Sequence, residues 1–202
     1  MIVGKDITKS FGGLKVFEDF NFEIQDGEFV CFSGESGRGK TTLLNIIGLL
    51  EPIDSGKLII NNKQYRTNKE KRLFYKNEVG FLFQNFALIE NKTVRQNLEI
   101  VRNAKKNSEE VAAAVRRVGL EEKLDNKIFT LSGGEQQRIA LARLILKQCN
   151  IILADEPTGS LDKKNATIVM NLLKSLNAEG KTVIIVTHDE EIKTQVDRRI
   201  EI

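Results

Sequence analysis

The chain has 202 residues, of which 41% are hydrophobic and 29% charged, and its formal net charge is +3. This composition excludes an intrinsically disordered chain and is typical of one soluble domain that buries a core without metals or disulfides. The mildly positive charge does not indicate nucleic acid as a partner, because nucleic-acid binders concentrate their basic residues on one face.

The first elements along the chain are predicted to be strands. Apolar residues alternate with polar ones at Phe20, Phe22 and Ile24, which predicts a half-buried antiparallel strand. A tight turn is expected at Asp26-Gly27, and the apolar run Glu28–Ser33 that follows is typical of a strand covered on both faces. An antiparallel N-terminal β-subdomain should therefore precede the first strand of a buried sheet.

Later apolar runs alternate with helical patterns. Buried strands are expected at Val79–Phe83, Ile151–Ala154 and Val183–Thr187. Helices are expected at Lys40–Leu50, Glu109–Val118, Gly134–Lys147 and Lys163–Asn177. This alternation predicts an α/β fold with a mainly parallel sheet, in one domain spanning residues 1–202. Residues from about 85 to 148 carry helix signals only, which predicts a helical subdomain inserted between two core strands.

The sequence has two cysteines and no apolar stretch of the length that spans a membrane. Cys31 and Cys149 lie in or beside apolar runs, so we expect buried thiols in a reducing cytosol. No stretch approaches the roughly 18–20 apolar residues that span a bilayer, and residues 1–10 lack the apolar core of a signal peptide. We therefore expect a cytoplasmic chain whose membrane role, if any, comes from a partner. The basic stretch Lys63–Lys76 is interpreted as a solvated helix face rather than a binding patch, since Glu70 interrupts it.

A phosphate-binding pattern follows the first buried strand. The residues from Gly34 to Thr41 satisfy G-x-x-x-x-G-K-[ST] between a strand and a helix. Glycines let backbone N–H groups turn toward phosphates, and the helix N-terminus adds partial positive charge. Lys40 should contact the β- and γ-phosphates of ATP and Thr41 should ligate Mg²⁺. The predicted nucleotide contacts in this loop are Gly34, Glu35, Ser36, Gly37, Arg38, Gly39, Lys40, Thr41 and Thr42, with the side chains of Glu35 and Arg38 in solvent. The alternative is a glycine turn with an incidental lysine.

Two acids end the buried strand at Ile151–Ala154. Asp155, at the carboxyl edge of the strand, is placed to hold Mg²⁺ through water, and Glu156 is placed to accept a proton from an attacking water. The alternative for this pair is capping of the next helix.

A second glycine-rich stretch, Leu131–Arg138, lies at the start of a predicted helix. Ser132 and Glu135 there have capping-box spacing, while the bare N–H groups of Gly133 and Gly134 suit a phosphate oxygen, and both interpretations stay open from this motif alone.

Taken together, these motifs resemble the nucleotide-binding subunits of ABC transporters over essentially the whole chain. The order is that family's: P-loop at Gly34–Thr41, a glutamine after a strand at Gln84, the LSGGE-type signature at Leu131–Glu135, and the acids Asp155 and Glu156. Gly159–Asp162 resembles its D-loop and His188 its switch histidine.

The resemblance implies further site residues. Gln84 would sense the γ-phosphate through Mg²⁺, and His188 would contact the γ-phosphate. Phe11 matches the aromatic position that stacks on adenine, commonly a tyrosine, and keeps its π-face without the hydroxyl. Ser132, Gly133, Gly134 and Asp162 would act on nucleotide across a head-to-tail homodimer, because in this family one chain's signature completes the other chain's P-loop.

Within that family two stretches, Gly48–Gly56 and Val79–Asn85, look most like the lipoprotein-release and macrolide-export type, and Phe83–Val94 is similar to bacteriocin-export ATPases of Gram-positive bacteria. This implies an ATPase at the cytoplasmic face of the plasma membrane, bound to a separate transmembrane permease and energising export. Phe83, Phe86, Leu88 and Ile89 would either contact that permease or form subdomain core. The alternative function is a non-transport ATPase that regulates a membrane-embedded complex, such as a cell-division or cell-wall hydrolase regulator.

Overall fold

The computed structural model describes residues 1–35, 37–101 and 108–202 and has two sheets. The strands are β1 (Ile2–Phe11), β2 (Leu14–Ile24), β3 (Phe29–Ser33), β4 (Ser55–Ile60), β5 (Val79–Leu82), β6 (Ile151–Asp155), β7 (Thr182–Val186) and β8 (Arg198–Glu201). A three-stranded antiparallel sheet has the order β2-β1-β4, and a five-stranded parallel sheet has the order β5-β6-β7-β3-β8. The predicted α/β fold with an N-terminal antiparallel sheet is confirmed.

Seven α-helices connect the strands in the described ranges. They are α1 (Lys40–Ile47), α2 (Asn68–Asn77), α3 (Val94–Leu98), α4 (Ser108–Arg117), α5 (Gly133–Lys147), α6 (Lys163–Ala178) and α7 (Glu190–Lys193). Short 3₁₀ turns lie at Glu121–Lys123 and Ile128–Thr130. Between β5 and β6, residues 85–101 and 108–148 contain helices and turns but no strand, as their sequence predicts.

The parallel sheet separates two apolar clusters. Along β3, Phe29 and Cys31 face a cluster that includes residues of α4, α5 and α6, while Val30 and Phe32 face a cluster with α1 and the antiparallel sheet. Strands β6 and β7 alternate in the same way. A strand covered on both faces needs apolar residues at every position, which accounts for the continuous apolar runs in the sequence.

Both predicted thiols are buried and free, and burial raises the pKa of the Cys31 thiol to about 11. The later part of the basic stretch lies in α2, which begins at Asn68 after a capping box between Thr67 and Glu70 and whose single buried side chain is Phe74. In the part of the chain that the structure describes, no helix is both long and apolar enough to cross a membrane.

The first helix ends earlier than its sequence pattern predicts. The helical pattern runs to Leu50, but α1 ends at Ile47, with Gly48 as its C-cap and Leu49 in a left-handed conformation with φ of 59°.

The strands β1, β4 and β8 were not separately predicted. Most residues of β4 and β8 are exposed or half-buried, and β1 has register shifts, so none of them shows a regular period-2 pattern.

A close approach at Gly80 of β5 gives a test of the packing between the parallel sheet and α5. A Cβ placed on Gly80 would lie 2.6 Å from both Cys149 Sγ and Leu144 Cδ2. Gly80→Ala should therefore reduce the free energy of unfolding by about 1–3 kcal/mol through overpacking, measured by urea denaturation. In a double-mutant cycle with Cys149→Ala, the two changes together should cost less than the sum of the single changes. Strictly additive costs would contradict this packing.

Candidate nucleotide site

The glycine-rich loop after β3 leads directly into α1. Gly39 is the N-cap of α1 and has φ of 93°, and a Cβ there would lie 2.3 Å from Val16 Cγ1. Gly37 is also left-handed, with φ of 82° and open space around its Cα. Glycine is therefore required at position 39 by both conformation and space. Ser36, one of the predicted contacts in this loop, lies outside the described residues.

Lys40 is buried under the loop that precedes it. Its Nζ donates hydrogen bonds to the carbonyl oxygens of Gly34, at 2.9 Å, and Glu35, at 2.6 Å. The exposed side chains of Glu35 and Arg38 pair with each other, with Arg38 Nη2 3.1 Å from Glu35 Oε2. The ammonium of Lys40 thus lies inside the loop without a carboxylate partner among the described residues, so its positive charge is available to an anion.

The end of β6 brings Asp155 to the start of α1. Thr41 Oγ1 donates a hydrogen bond of 3.1 Å to Asp155 Oδ1, which links the helix after the glycine loop to the neighbouring part of the sheet. Burial raises the pKa of Asp155, and the hydrogen bond from Thr41 opposes that shift. A hydroxyl and a carboxylate therefore lie side by side at the carboxyl edge of the sheet.

The backbone of Glu156 is left-handed, with φ of 45°. Its N–H donates to Val186 O at 2.9 Å, and its Oε2 accepts a hydrogen bond of 3.2 Å from Thr187 Oγ1. Its buried Oε1 lies 3.4 Å from His188 Nε2 and has no hydrogen-bond partner among the described residues. Burial raises the pKa of Glu156, and His188 opposes that rise.

Thr187 is a site residue that the sequence analysis missed. Besides donating to Glu156, its Oγ1 accepts a hydrogen bond of 3.1 Å from Asp189 N, so one hydroxyl holds both the carboxylate and the loop that carries His188. The available signal was its position at the polar end of a buried strand, next to the single histidine of the chain.

These groups surround one pocket of about 770 Å³. Its lining includes the predicted residues Gly37, Gly39, Lys40, Thr41, Thr42, Gln84, Asp155, Glu156 and His188. A triphosphate fits the glycine loop, which a Cβ at position 39 would disrupt, and the donor set of hydroxyl, amide and carboxylate oxygens fits Mg²⁺. Three or more acidic, histidine or cysteine side chains do not converge on a metal site anywhere in the described ranges.

The second glycine-rich stretch lies outside this lining in the described structure. Ser132 caps α5, with its Oγ accepting from Glu135 N and the Glu135 carboxylate accepting from Ser132 N, so the capping box is present. Gly133 borders a shallow depression of about 630 Å³ that it shares with Gln84 and Asp155. The structure thus brings the glycine loop, the acids, Gln84 and His188 together, and leaves Ser132 and Gly134 beside them.

Two further predicted residues lie outside the pocket lining. Asp162 caps α6 by accepting hydrogen bonds from Asn165 N and Asn165 Nδ2, both at 2.8 Å. Phe11 is 47% exposed at the end of β1, and Lys9 Nζ lies 4.7 Å from its ring centroid. Lys9 is itself held by Glu51 at 2.6 Å, so one face of the Phe11 ring is covered by a fixed cation and the ring keeps exposed surface.

The pocket residues lie within a stretch of the chain that matches a known family. A family model described as ABC transporter matches residues 17–159. The chain therefore belongs to the ABC transporter family. The residues that match include the glycine loop, Gln84, the second glycine-rich stretch and both acids of the pocket. The ABC-type ATP-binding domain predicted from the motifs is confirmed by this membership.

Among its relatives, the chain is 40% identical over 202 residues to the lipoprotein-releasing system ATP-binding protein LolD of Rickettsia bellii, covering 97% of this chain and 90% of that protein. It is 37% identical over 209 residues to the macrolide export ATP-binding/permease protein MacB of Campylobacter jejuni, covering all of this chain. The chain spans about a third of the length of that relative, 33%.

Solved structures agree with the family. The dimeric structure of the ATP-binding cassette MJ0796, in a post-hydrolysis state bound to ADP and Pi, has a TM-score of 0.89 and 35% identity to this ABC chain, covering 100% of it and 94% of that structure. A second dimeric structure of the same bacterial ABC transporter cassette has a TM-score of 0.90 at 36% identity. The predicted resemblance to the macrolide-export and lipoprotein-release type is confirmed.

Burial of Glu156 gives a pH-dependent prediction. Its raised pKa means that the folded chain binds this proton more tightly than the unfolded chain does. The associated stability is complete below the ordinary carboxyl pKa of 4.5 and is lost as pH rises through the folded-state pKa. Glu156→Gln, which is neutral at every pH, should therefore raise the free energy of unfolding at neutral pH, and the gain should shrink as pH falls through the folded-state pKa toward 4.5.

Urea denaturation of the wild type and the variant between about pH 4 and pH 8 measures this difference. Glu122→Gln, at an exposed position, is the matched control and should change stability little at any pH. A stability gain of Glu156→Gln that stays constant over this range would contradict the burial of an ionised carboxylate.

Proposed function

We propose that this chain binds and hydrolyses ATP as the cytoplasmic subunit of an ABC exporter, working as a homodimer on a separate transmembrane permease. The observation that supports it best is the convergence of Lys40, the Thr41–Asp155 pair and the buried Glu156 carboxylate on one pocket. Family membership supports ATP as the nucleotide, and the dimeric cassettes support assembly in pairs.

Each group has a role that its environment favours. The glycine-loop N–H groups and Lys40 hold the phosphates, and Thr41, Asp155 and Gln84 hold Mg²⁺, directly or through water. Mg²⁺ supplies charge neutralisation for the phosphate oxygens when it is bound. Phe11 stacks on adenine with the face that Lys9 leaves open.

Proton transfer in this proposal falls to Glu156. Its Oε1 is buried without a hydrogen-bond partner in the described structure, and its raised pKa favours acceptance of a proton from an attacking water. Thr187 fixes the other carboxylate oxygen, and His188, next to Oε1, is placed to contact the γ-phosphate. Ser132, Gly133 and Gly134 of one copy, together with Asp162, act on the nucleotide of the other copy.

The permease partner is proposed to dock in a groove of about 720 Å³ between β5 and α5. Its lining includes Phe81, Phe83, Ala87, Ile100 and Arg143. Arg143 donates from Nη1 to Ala87 O and from Nη2 to Phe86 O, and thereby fixes the segment that follows Gln84. Phe83, Phe86 and Leu88 are half-buried and Ile89 is 44% exposed, so this segment offers apolar surface to a partner. Docking there would place the chain at the cytoplasmic face of the plasma membrane.

The transported substrate is proposed only by class, because substrate contacts would lie in the permease. The relatives named for macrolide export and lipoprotein release favour export of a drug, a lipoprotein or a peptide such as a bacteriocin. The same relatives favour export over the regulatory role that the motifs also allow.

Two substitutions separate binding from chemistry in this site. Glu156→Gln should reduce ATP turnover roughly 10²- to 10⁴-fold, the usual contribution of a general base, while ATP affinity stays close to the wild type. Lys40→Ala should abolish nucleotide binding, because the buried ammonium that contacts the phosphates is removed. Steady-state hydrolysis and calorimetric titration of nucleotide measure the two effects. Wild-type turnover in Glu156→Gln, or unchanged nucleotide affinity in Lys40→Ala, would contradict the assigned roles.

A further inference from the structure

A buried glutamine joins the signature helix to the segment that carries Glu156. Gln137 lies in the second turn of α5, is 1% exposed, and donates a hydrogen bond of 2.8 Å from Nε2 to Pro157 O. The partner carbonyl belongs to the residue directly after Glu156. Gln137 is therefore one hydrogen bond and one peptide unit away from the proposed base.

The hydrogen bond to Pro157 O fixes the backbone directly after Glu156. Proline has no N–H, so its carbonyl is the one backbone hydrogen-bonding group that Pro157 offers. On the other side, Glu156 is fixed through its N–H to Val186 and through its carboxylate to Thr187. On the C-terminal side, Glu156 O accepts a hydrogen bond of 3.2 Å from Gly159 N. Gln137 ties this turn to α5 at Pro157, the residue next to the left-handed Glu156, whose backbone requires support from its surroundings.

Gln137 lowers the stability of the fold more than an apolar side chain would at the same buried position. Its Oε1 is buried and has no hydrogen-bond partner within the described part of the chain. Burying an unpaired amide oxygen costs stability, which a leucine of similar size would avoid. The buried amide therefore indicates a geometric role for its one hydrogen bond.

A second contact ties the same helix to the segment after Glu156. A Cβ placed on Gly134 would lie 2.4 Å from Asn165 Cγ, so the first turn of α5 packs directly on the first turn of α6. Asn165 in turn donates two hydrogen bonds to Asp162. A displacement of the start of α5 is therefore transmitted to both ends of the Pro157–Asp162 segment.

We propose that Gln137 is a positioning residue that sets the Glu156 carboxylate according to the position of the signature helix. The proposal rests on the proposed function, in which Ser132 contacts the nucleotide of the partner copy and Glu156 acts on the nucleotide of its own copy. The nucleotide in one site then fixes α5, and α5 fixes the base of the other site through the Gln137–Pro157 hydrogen bond. The two ATP sites of the dimer are thereby coupled.

The test is Gln137→Leu in the 202-residue chain, which removes the hydrogen bond and keeps the volume. Turnover should fall roughly 10- to 100-fold, as for a small misplacement of a catalytic group. The KM for ATP should stay within about twofold, because the nucleotide contacts are unchanged. The Hill coefficient for ATP should fall toward 1, and the free energy of unfolding should change little, because removal of the unpaired Oε1 offsets the hydrogen bond lost at Pro157 O.

Asn97→Leu is the control, because Asn97 is also a buried amide, 1% exposed, but bonds to Ile89 and Thr93 in the helical region. It should lower stability and keep turnover and the Hill coefficient. If Gln137→Leu does not fold, Gln137→Met provides the same test with an unbranched side chain.

Wild-type turnover and Hill coefficient in the folded Gln137 variant would overturn the proposal. A fall in turnover that only follows a fall in stability would also overturn it, because a purely structural role gives that result. Glu156→Gln in the same assay distinguishes a failure of the proposed function from a failure of the proposed role of Gln137. If Glu156→Gln turns over normally, the proposed function fails; if it is inactive while Gln137→Leu is normal, only the role of Gln137 fails.

Discussion

The parallel pairing of β3, β7 and β6 is the constraint on which the site depends. Because parallel strands end at the same edge of a sheet, their order places the glycine loop, the acids Asp155 and Glu156, and the Thr187–His188 pair around one pocket. The register Asp155↔Val186 aligns the ends of β6 and β7, and the Glu156 N–H then bonds to Val186 O. These polar groups are far apart in the sequence, and they meet because the strands that carry them pair in this order.

The site keeps charge where the fold would be more stable without it. Lys40 is buried without a carboxylate partner among the described residues, and the pKa values of Asp155 and Glu156 are both raised by burial. Such groups are costly to bury, and their placement at one edge is typical of a catalytic site rather than of a structural ion pair. Gln137 extends the same pattern into the interior, since its amide is buried with one hydrogen bond.

Much of this arrangement could be predicted from the sequence because local patterns determine it. The continuous apolar runs predicted β3, β5, β6 and β7, and the motif spacing predicted Lys40, Thr41, Asp155 and Glu156. Thr187 and Gln137 were not predicted, because their importance comes from hydrogen bonds to residues 31 and 20 positions away in the sequence. The edge strand β8 was missed because Arg198, Arg199 and Glu201 are exposed and give no apolar pattern. Tertiary contacts of this kind leave no periodic signal.

Each ATP site is proposed to be built from two copies of the chain, and mixing two defective variants tests this assembly most directly. Lys40→Ala disables a copy's own phosphate loop, and Ser132→Arg blocks the signature that it offers to its partner. Each variant alone should be inactive, while their mixture should recover up to roughly a quarter of wild-type ATPase activity, because a mixed pair contains one intact site. Activity in the mixture that never exceeds the sum of the separate variants would contradict the account.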